Sequence, residues 1–189
     1  MRNLILVRHA TPEIEPDQPS RRWHLSEKGW AECKTLAGEL EAYHPVAIVS
    51  SYEAKAQETA SIIASHLRTI YRVEEGLHEH ERSDVPYIEH EEDFKMAIKW
   101  LFKRPNTSVF GDETANQAKA RFSKTIESLL EKYPEGDLVV VSHGTVISLY
   151  AAPHAGMEPF QLWKQLGTPS FVVLSLPAFK VARIGGNTK

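Results

Sequence analysis

Two histidines in this sequence each follow a short apolar run. Leu4–Val7 precedes Arg8-His9, and Leu138–Val141 precedes Ser142-His143. A neutral imidazole can attack a phosphorus atom and divide one displacement into two steps through a covalent intermediate. Arg8 stays charged at any working pH and offers a planar, two-pronged donor to phosphoryl oxygens. These residue types indicate phosphoryl transfer with a histidine nucleophile.

The other groups that such a reaction needs have candidates as well. Gly144, directly after His143, is predicted to begin a helix, so the backbone N–H groups there would favour an anion. A leaving alkoxide needs a proton, which a nearby carboxylic acid can supply. Glu79 and Glu81 are the candidates for this proton donor.

The two apolar runs are typical of strands that are buried on both faces of a sheet. Further strands are predicted at 46–49 and 70–73, with a hairpin-like pair at 171–176 and 179–184. Strands that alternate with helices indicate a layered α/β domain, in which ligands bind beyond the carboxyl ends of the strands. Both histidine motifs fall at such ends, so one site is expected to contain both.

Three predicted helices connect these strands. Ser26 is a plausible N-cap for a helix whose apolar stripe contains Trp30, Cys33, Ala37 and Leu40. Ser50-Ser51 are expected to form a turn and cap before a second helix, which carries Lys55 through Leu67. Thr114 and Gln117 fit a capping box for a third helix that ends near Tyr133.

Residues 76–111 differ from the rest of the chain because they are rich in His and Glu and are interrupted by Pro86 and Pro105. They are interpreted as an inserted, partly helical cap region within a single domain, residues 1–189. A metal site at His78, His80 and His90 is weakly indicated, since His-x-His alone is no closed ligand set. No metal is predicted.

The order of these motifs resembles the histidine phosphatase superfamily, which includes the cofactor-dependent phosphoglycerate mutases. The resemblance covers nearly the whole chain and rests on LILVRHATPE, HLSEKGWAECKTLAGEL, IVSSYEAKAQETA, GLHEHE and VVVSHGTVISLY. It implies a three-layer α/β sandwich with a mixed, largely parallel sheet and helices on both faces. It implies no metal or other cofactor. It also implies that His9 is phosphorylated, that Arg8 and His143 bind phosphate, and that Glu79 donates the proton.

The sequence departs from the family pattern in three respects. Ala10 stands where a glycine is usual, which is acceptable unless that residue needs a positive φ. Tyr52 and Lys55 stand where a proline and an arginine are usual; lysine keeps the positive charge but loses the bidentate fork. An asparagine is also missing, and Glu15 lies nearby, which is unfavourable beside phosphate unless it points away or meets a cationic group.

Three functions are compatible with these residues. The leading prediction is a phosphatase that hydrolyses a small phosphomonoester, with Arg8, Lys55, His143 and Gly144 binding the phosphoryl group. A phosphoglycerate mutase-like enzyme and a non-catalytic phospholigand-binding module are the alternatives. The substrate and the oligomeric state stay open. Five cations could meet a further phosphate or a carboxylate, although a solvent-exposed position without a ligand is favoured for each: Arg21, Arg22, Arg82, Lys103 and Arg104.

The composition of the chain limits the classes of molecule that it is expected to bind. The 189 residues carry a formal net charge of −3, with no basic field for polyanions, so nucleic acid is not an expected partner. The single cysteine, Cys33, excludes an internal disulfide and is interpreted as a core residue. No apolar run reaches membrane-spanning length, so no membrane partner is expected and a cytoplasmic location is predicted.

Overall fold

A mixed sheet forms the centre of the molecule. The computed structural model describes residues 2–83 and 85–188, with side chains described as far as residue 187. The strands are β1 (Arg2–Arg8), β2 (Ala47–Ser50), β3 (Tyr71–Val73), β4 (Leu138–Ser142), β5 (Leu166–Leu176) and β6 (Lys180–Thr188). Their order is β3-β2-β4-β1-β5-β6. The first four strands along this order run parallel, while β5 is antiparallel to both β1 and β6.

Helices cover both faces of this sheet. They are α1 (Glu27–Leu40), α2 (Ala54–Leu67), α3 (Glu91–Lys103), α4 (Ala115–Lys132), α5 (Gly144–Ala151) and α6 (Pro159–Gln165), with short 3-10 turns at Ser20–Arg22, Glu41–Tyr43 and Pro153–Ala155. Among the described helices, none is long and apolar enough to span a membrane.

Alternation along the strands separates two hydrophobic cores. On β1, Leu4 and Leu6 belong to the core under α4, α5 and α6, whereas Ile5 and Val7 belong to the core under α1 and α2. Successive side chains of a strand point to opposite faces, so a continuous apolar run supplies both cores at once. The predicted three-layer α/β sandwich with a mixed sheet is therefore confirmed.

The helix ends follow the predicted capping signals in two of three cases. The Ser26 hydroxyl accepts a hydrogen bond from Gly29 N–H, and Thr114 forms a complete capping box with Gln117. The prediction of Ser50-Ser51 as the cap of α2 is wrong, because Glu53 is the N-cap and Ser50 ends β2. Ser51 instead accepts a hydrogen bond from the Glu53 N–H group.

Trp30 does not pack with the apolar stripe predicted for α1, since the residue is 50% exposed. Gly29 lies on the buried face of α1 in its place, together with Cys33 and Leu36. A Cβ at Gly29 would overlap the carbonyl oxygen of Thr11. The helix thus packs directly against the backbone of the loop that follows His9.

The C-terminal part of the chain is more regular than predicted. The predicted strand pair is confirmed. β5 begins before its predicted limit and β6 ends after its predicted limit, because Leu166 and Thr188 pair with each other. Gly167 and Pro169 lie within this extension of β5. The short helix α6 was not predicted, although Pro159 at its first turn is a typical start signal. Trp163 of α6 packs with Ile98 of α3 and with Phe110.

Candidate active site

The parallel pairing of β1 and β4 brings the two predicted histidines together. Arg8 lies opposite Ser142 in the sheet, so His9 and His143 follow at the same edge. The backbone N–H of His9 donates to the Ser142 carbonyl oxygen at 3.0 Å. Both rings are buried, and their centroids are 5.2 Å apart at an interplanar angle of 61°.

His9 is held in the form that a nucleophile requires. Its Nδ1 lies 2.8 Å from the Ala10 carbonyl oxygen. Since a carbonyl oxygen can only accept, we assign the hydrogen to Nδ1 and the lone pair to Nε2. Burial and the positive charge of Lys55 hold the pKa of His9 well below its usual value, with smaller effects from His143 and Arg8. The ring is therefore neutral near pH 7.

His143 presents a hydrogen-bond donor without an acceptor. Its Nε2 lies 2.9 Å from the Ser51 hydroxyl, which already accepts the Glu53 N–H group. A hydroxyl has two acceptor lone pairs but a single hydrogen, and within the described residues Nε2 is the acceptor available to the Ser51 hydrogen, so we assign that hydrogen to the bond with Nε2 and the ring hydrogen to Nδ1. Burial and the charge of Lys55 lower the pKa of His143. The buried Nδ1 has no hydrogen-bond partner among the described residues.

Arg8 contributes a second buried donor of the same kind. Its Nη1 donates to the Leu166 carbonyl oxygen, whereas Nε has no hydrogen-bond partner within the described part of the chain. Leaving a buried polar group unsatisfied costs roughly 1–3 kcal/mol, and more for a charged group. Two such donors beside a neutral histidine are suited to hold an anion.

Because Gly144 has no side chain, the Arg8 guanidinium can lie at the start of α5. A Cβ at residue 144 would lie 3.1 Å from both Cζ and Nε of Arg8, and 3.3 Å from Nε1 of Trp163. The role predicted for Gly144 therefore includes a steric one: it leaves room for the arginine.

We expect Gly144→Ala to weaken the binding of inorganic phosphate by about tenfold or more, because the guanidinium must shift from its donor position. Calorimetric titration with inorganic phosphate measures the dissociation constant. Gly38→Ala is the matched control, since a Cβ at Gly38 of α1 would meet no atom within 4 Å. An equal dissociation constant in both variants would contradict the steric role of Gly144.

Lys55 is buried and is tied to two groups of the protein. Its Nζ donates to the Glu53 carboxylate and to the Ser20 carbonyl oxygen, each at 2.6 Å. Two of the three N–H groups of this ammonium are thereby used. Lys55 thus links α2 to the turn at Ser20–Arg22.

Glu53 is the site residue that the sequence reasoning missed. Burial acts to raise its pKa, but the charge and hydrogen bond of Lys55 and the N–H of Glu79 outweigh burial, so the net pKa is low. One oxygen accepts the Glu79 N–H at 2.8 Å and lies 3.5 Å from Nε2 of His143. No sequence signal marks this contact, because residues two apart on a helix do not face each other. Glu53 reaches Lys55 because, as the N-cap, it has an extended backbone.

Glu79 and Glu81 occupy different surroundings. One Glu79 oxygen accepts the His80 N–H at 2.9 Å, and the other accepts the Thr145 N–H at 3.1 Å, at the start of α5. Burial acts to raise the pKa of Glu79, but Arg82, His143 and these two donors together lower it. Glu81 is 48% exposed and contacts His78 at 3.1 Å. Only Glu79 reaches the helix that follows His143.

Arg121 holds the loop that carries Glu79, and the sequence does not single it out. Its guanidinium donates to the carbonyl oxygens of Gly76 and His78 at 2.9 Å and of Glu79 at 3.2 Å. It also pairs with Glu113. The conformation of this loop is thus set by a side chain of α4, more than 40 residues later in the chain.

Ala10 and Glu15, which mark two other departures from the family pattern, have defined local contacts. Ala10 has no positive φ, and its N–H donates to the Thr59 hydroxyl at 3.0 Å, so the Cβ is tolerated. Glu15 accepts a hydrogen bond from Gln18. Burial raises the pKa of Cys33 to about 11, which fits an unreactive core thiol.

No group of three or more His, Cys, Asp or Glu side chains could hold a metal ion within residues 2–83 and 85–188. The exposed His90 is the residue before α3, whereas His78 and His80 lie in the loop that carries Glu79. The three histidines therefore belong to two different parts of the chain.

Comparisons with known proteins give a family and a fold. A model of the histidine phosphatase superfamily (branch 1) matches residues 4–178. A search of curated proteins found no match.

The structure of a mycobacterial glucosyl-3-phosphoglycerate phosphatase is similar, with a TM-score of 0.74 and 20% identity over 100% of this chain and 99% of that chain. A mutant phosphoserine phosphatase from Entamoeba histolytica, bound to phosphoserine, has a TM-score of 0.78 and 18% identity over 99% and 98%. YhfR from Bacillus stearothermophilus has a TM-score of 0.75 and 19% identity over 100% and 98%.

Proposed function

Since this chain belongs to the histidine phosphatase superfamily, we propose that it hydrolyses a small phosphomonoester through a phosphohistidine intermediate on His9. One observation carries the proposal. The neutral His9, with its lone pair on Nε2, lies beside two buried donors, Arg8 Nε and His143 Nδ1, that lack an acceptor among the described residues. Two of the similar structures are themselves named phosphatases.

In the first step, the Nε2 lone pair of His9 forms a bond to phosphorus while the bond from phosphorus to the leaving oxygen breaks. Arg8 and His143 donate to the phosphoryl oxygens, where charge is concentrated, and the N–H groups at the start of α5 favour the same anion. The Ala10 carbonyl oxygen stabilises the positive ring that forms, because it accepts the Nδ1 hydrogen.

Glu79 supplies the proton that the leaving oxygen needs. Its low pKa belongs to the site without an anion, and a phosphoryl dianion nearby raises that pKa because like charges disfavour ionisation. Glu79 is favoured over Glu81 because its carboxylate contacts the start of α5, two residues after His143. The carboxylate then takes a proton from the water that attacks phosphorus, and the P–N bond breaks to return the electron pair to Nε2.

Residues 76–111 are assigned to the cap over this site. Their loop places Glu79 at the catalytic pair, and α3 packs against α6 beside it. Residues 1–189 act as one domain in this proposal, and Lys55 contributes positive charge to the phosphoryl position.

The experiment that tests the function exposes the protein to a radiolabelled panel of small phosphomonoesters. We expect release of inorganic phosphate and, after a rapid quench, an acid-labile and base-stable phosphoryl group on His9. Exclusive isomerisation of a sugar phosphate would instead identify a mutase. Binding of phosphorylated ligands with no label and no phosphate release across the panel would identify a non-catalytic module.

A further inference from the structure

Glu53 brings a buried carboxylate to the Nε2 edge of the His143 ring, whereas the donor that this ring offers to an anion is on Nδ1. One Glu53 oxygen lies 3.5 Å from Nε2, and the exposed fractions of the two side chains are 5% and 0%. A carboxylate at this distance can pair with the ring once Nε2 carries a hydrogen. The contact therefore concerns the charge of His143 rather than its donor to the anion.

The neutral and the charged ring use Nε2 in opposite ways. In the neutral ring, Nε2 accepts the Ser51 hydroxyl hydrogen at 2.9 Å. Protonation of Nε2 replaces that acceptor with an N–H donor. The Ser51 oxygen and the Glu53 carboxylate then both present lone pairs to this N–H group. The imidazolium form of His143 thus has partners for its second N–H group.

Glu53 is prepared for this role by its other contacts. One of its oxygens binds Lys55 at 2.6 Å, and the other accepts the Glu79 N–H at 2.8 Å. These contacts outweigh the effect of burial on the pKa of Glu53, so the carboxylate is ionised near pH 7. A carboxylate has about four lone-pair sites, so the oxygen near Nε2 keeps the capacity to accept a further hydrogen.

Other charged or titratable side chains also surround the ring. They are Arg8 and His9 at the end of β1, Lys55 on α2, and His78, Glu79 and Arg82 on the loop that follows β3. The helix α5, which begins at the next residue, has no charged side chain. Burial, followed by the charge of Lys55, holds the pKa of His143 low while no anion is bound. A phosphoryl dianion beside Nδ1 adds negative charge, which favours the protonated ring.

We propose that Glu53 is a positioning residue that acts as the counter-ion of His143, so that Nε2 takes up one proton from solvent when a phosphoryl dianion binds. The Nδ1–H group then donates to a phosphoryl oxygen, while the new Nε2–H group faces the Glu53 carboxylate. The proton returns to solvent when the anion leaves. Charge-assisted hydrogen bonds are roughly twice as strong as neutral ones, so the charged ring holds the phosphoryl group more firmly. This inference rests on the proposed function, which supplies the anion.

NMR spectroscopy of protein labelled with ¹⁵N in its histidine rings reads the charge of His143 directly, with sulfate as the probe. Sulfate is a tetrahedral dianion without a titrating proton near neutral pH, so a proton that is taken up belongs to the protein. The variant His143→Gln identifies the His143 signals by their loss. We expect sulfate to raise the midpoint of the His143 titration by about one pH unit or more. A midpoint that sulfate does not raise would overturn the inference.

Variants of Glu53 test whether this carboxylate is the counter-ion. Glu53→Gln keeps an acceptor for the Glu79 N–H group but removes the charge, so the midpoint in the sulfate complex should fall by about one pH unit or more. Glu53→Asp keeps the charge on a shorter side chain and should give an intermediate midpoint. Either variant is sufficient if the other does not fold. Glu41→Gln is the matched control, because Glu41 contacts His66 at 2.7 Å on the surface. Equal midpoints in wild type and the Glu53 variants would overturn the inference.

The pH dependence of sulfate affinity distinguishes this role from a structural one. A group whose pKa is higher in the complex takes up a proton between its two pKa values, so affinity falls by up to about tenfold per pH unit as the pH rises through that range. In Glu53→Gln the range moves to lower pH, and the fall near neutral pH is expected to become shallower. A structural contact would instead change the affinity by the same factor at every pH, and this result would overturn the inference.

These measurements do not depend on turnover, so the inference and the proposed function can fail separately. If sulfate raises the His143 midpoint through Glu53 in a protein that releases no phosphate, the inference stands without the proposed hydrolysis. If phosphomonoesters are hydrolysed while His143 stays neutral in the sulfate complex, the hydrolysis stands and the inference is overturned. A complete failure to bind sulfate would contradict the anion site on which both depend.

Discussion

His9→Ala is expected to lower kcat for phosphomonoester hydrolysis by at least about 10³-fold and to abolish the acid-labile phosphoryl group. The physical reason is that Nε2 of His9 is the nucleophile that attacks the substrate in the proposed mechanism. The ring makes one side-chain hydrogen bond, to Ala10, so its removal leaves the packing of β1 and β4 in place. Quenched labelling measures the intermediate, and circular dichroism measures the fold.

Two further histidine variants serve as comparisons for this result. His154→Ala makes the same chemical change on the short turn after α5, where the ring contacts Tyr150 and Phe179, and it should retain activity. His143→Ala keeps the nucleophile but removes a donor, so a loss of about 10²–10³-fold is expected, with label still found on His9. Full activity in His9→Ala would refute the proposed nucleophile.

Lys55→Met is expected to lower the free energy of unfolding by about 3–5 kcal/mol, because it leaves the buried Glu53 carboxylate without its partner. Adding Glu53→Gln should recover most of this loss. The glutamine still accepts the Glu79 N–H group but carries no charge. Urea denaturation of wild type, both single variants and the double variant measures the coupling in a double-mutant cycle.

Activity in the same four proteins separates the two roles of Lys55. If Lys55 also contributes charge to the phosphoryl group, the double variant regains stability while its kcat/KM stays well below that of wild type. Recovery of both stability and activity would limit Lys55 to a structural role. If each single variant lost less than about 1 kcal/mol of unfolding free energy and the two losses were additive, as is typical of exposed pairs, the result would contradict a buried and coupled pair.

The buried pair of Lys55 and Glu53 also affects how positive charge is distributed in the site. Lys55 stands where an arginine is usual, and Glu53 and Ser20 already accept two of its hydrogens. Lys55 therefore has one hydrogen left for a phosphoryl oxygen. In the cap, Arg82 donates through Nε to the His80 carbonyl oxygen at 3.3 Å, and its Nη2 lies 3.7 Å from a Glu79 carboxylate oxygen.

Local signals were sufficient to predict the framework of the site. The runs Leu4–Val7 and Leu138–Val141 must be buried on both faces, and this requirement alone places them at the centre of a sheet. Their C-terminal ends then carry His9 and His143 to one edge. The caps at Ser26 and Thr114 were likewise predictable, because a capping hydrogen bond joins residues only three positions apart.

Only the tertiary structure decided which charged groups complete the site. Glu53 reaches Lys55 through the extended backbone at an N-cap, and Arg121 reaches the Glu79 loop from a helix much later in the chain. None of these contacts follows the regular spacing of a helix or a strand, so composition and spacing could not identify them. The sequence by itself determined the two histidines, their arginine and the strands that bring them together. Packing decided which donors were left free for an anion, because that depends on where every nearby acceptor is already used.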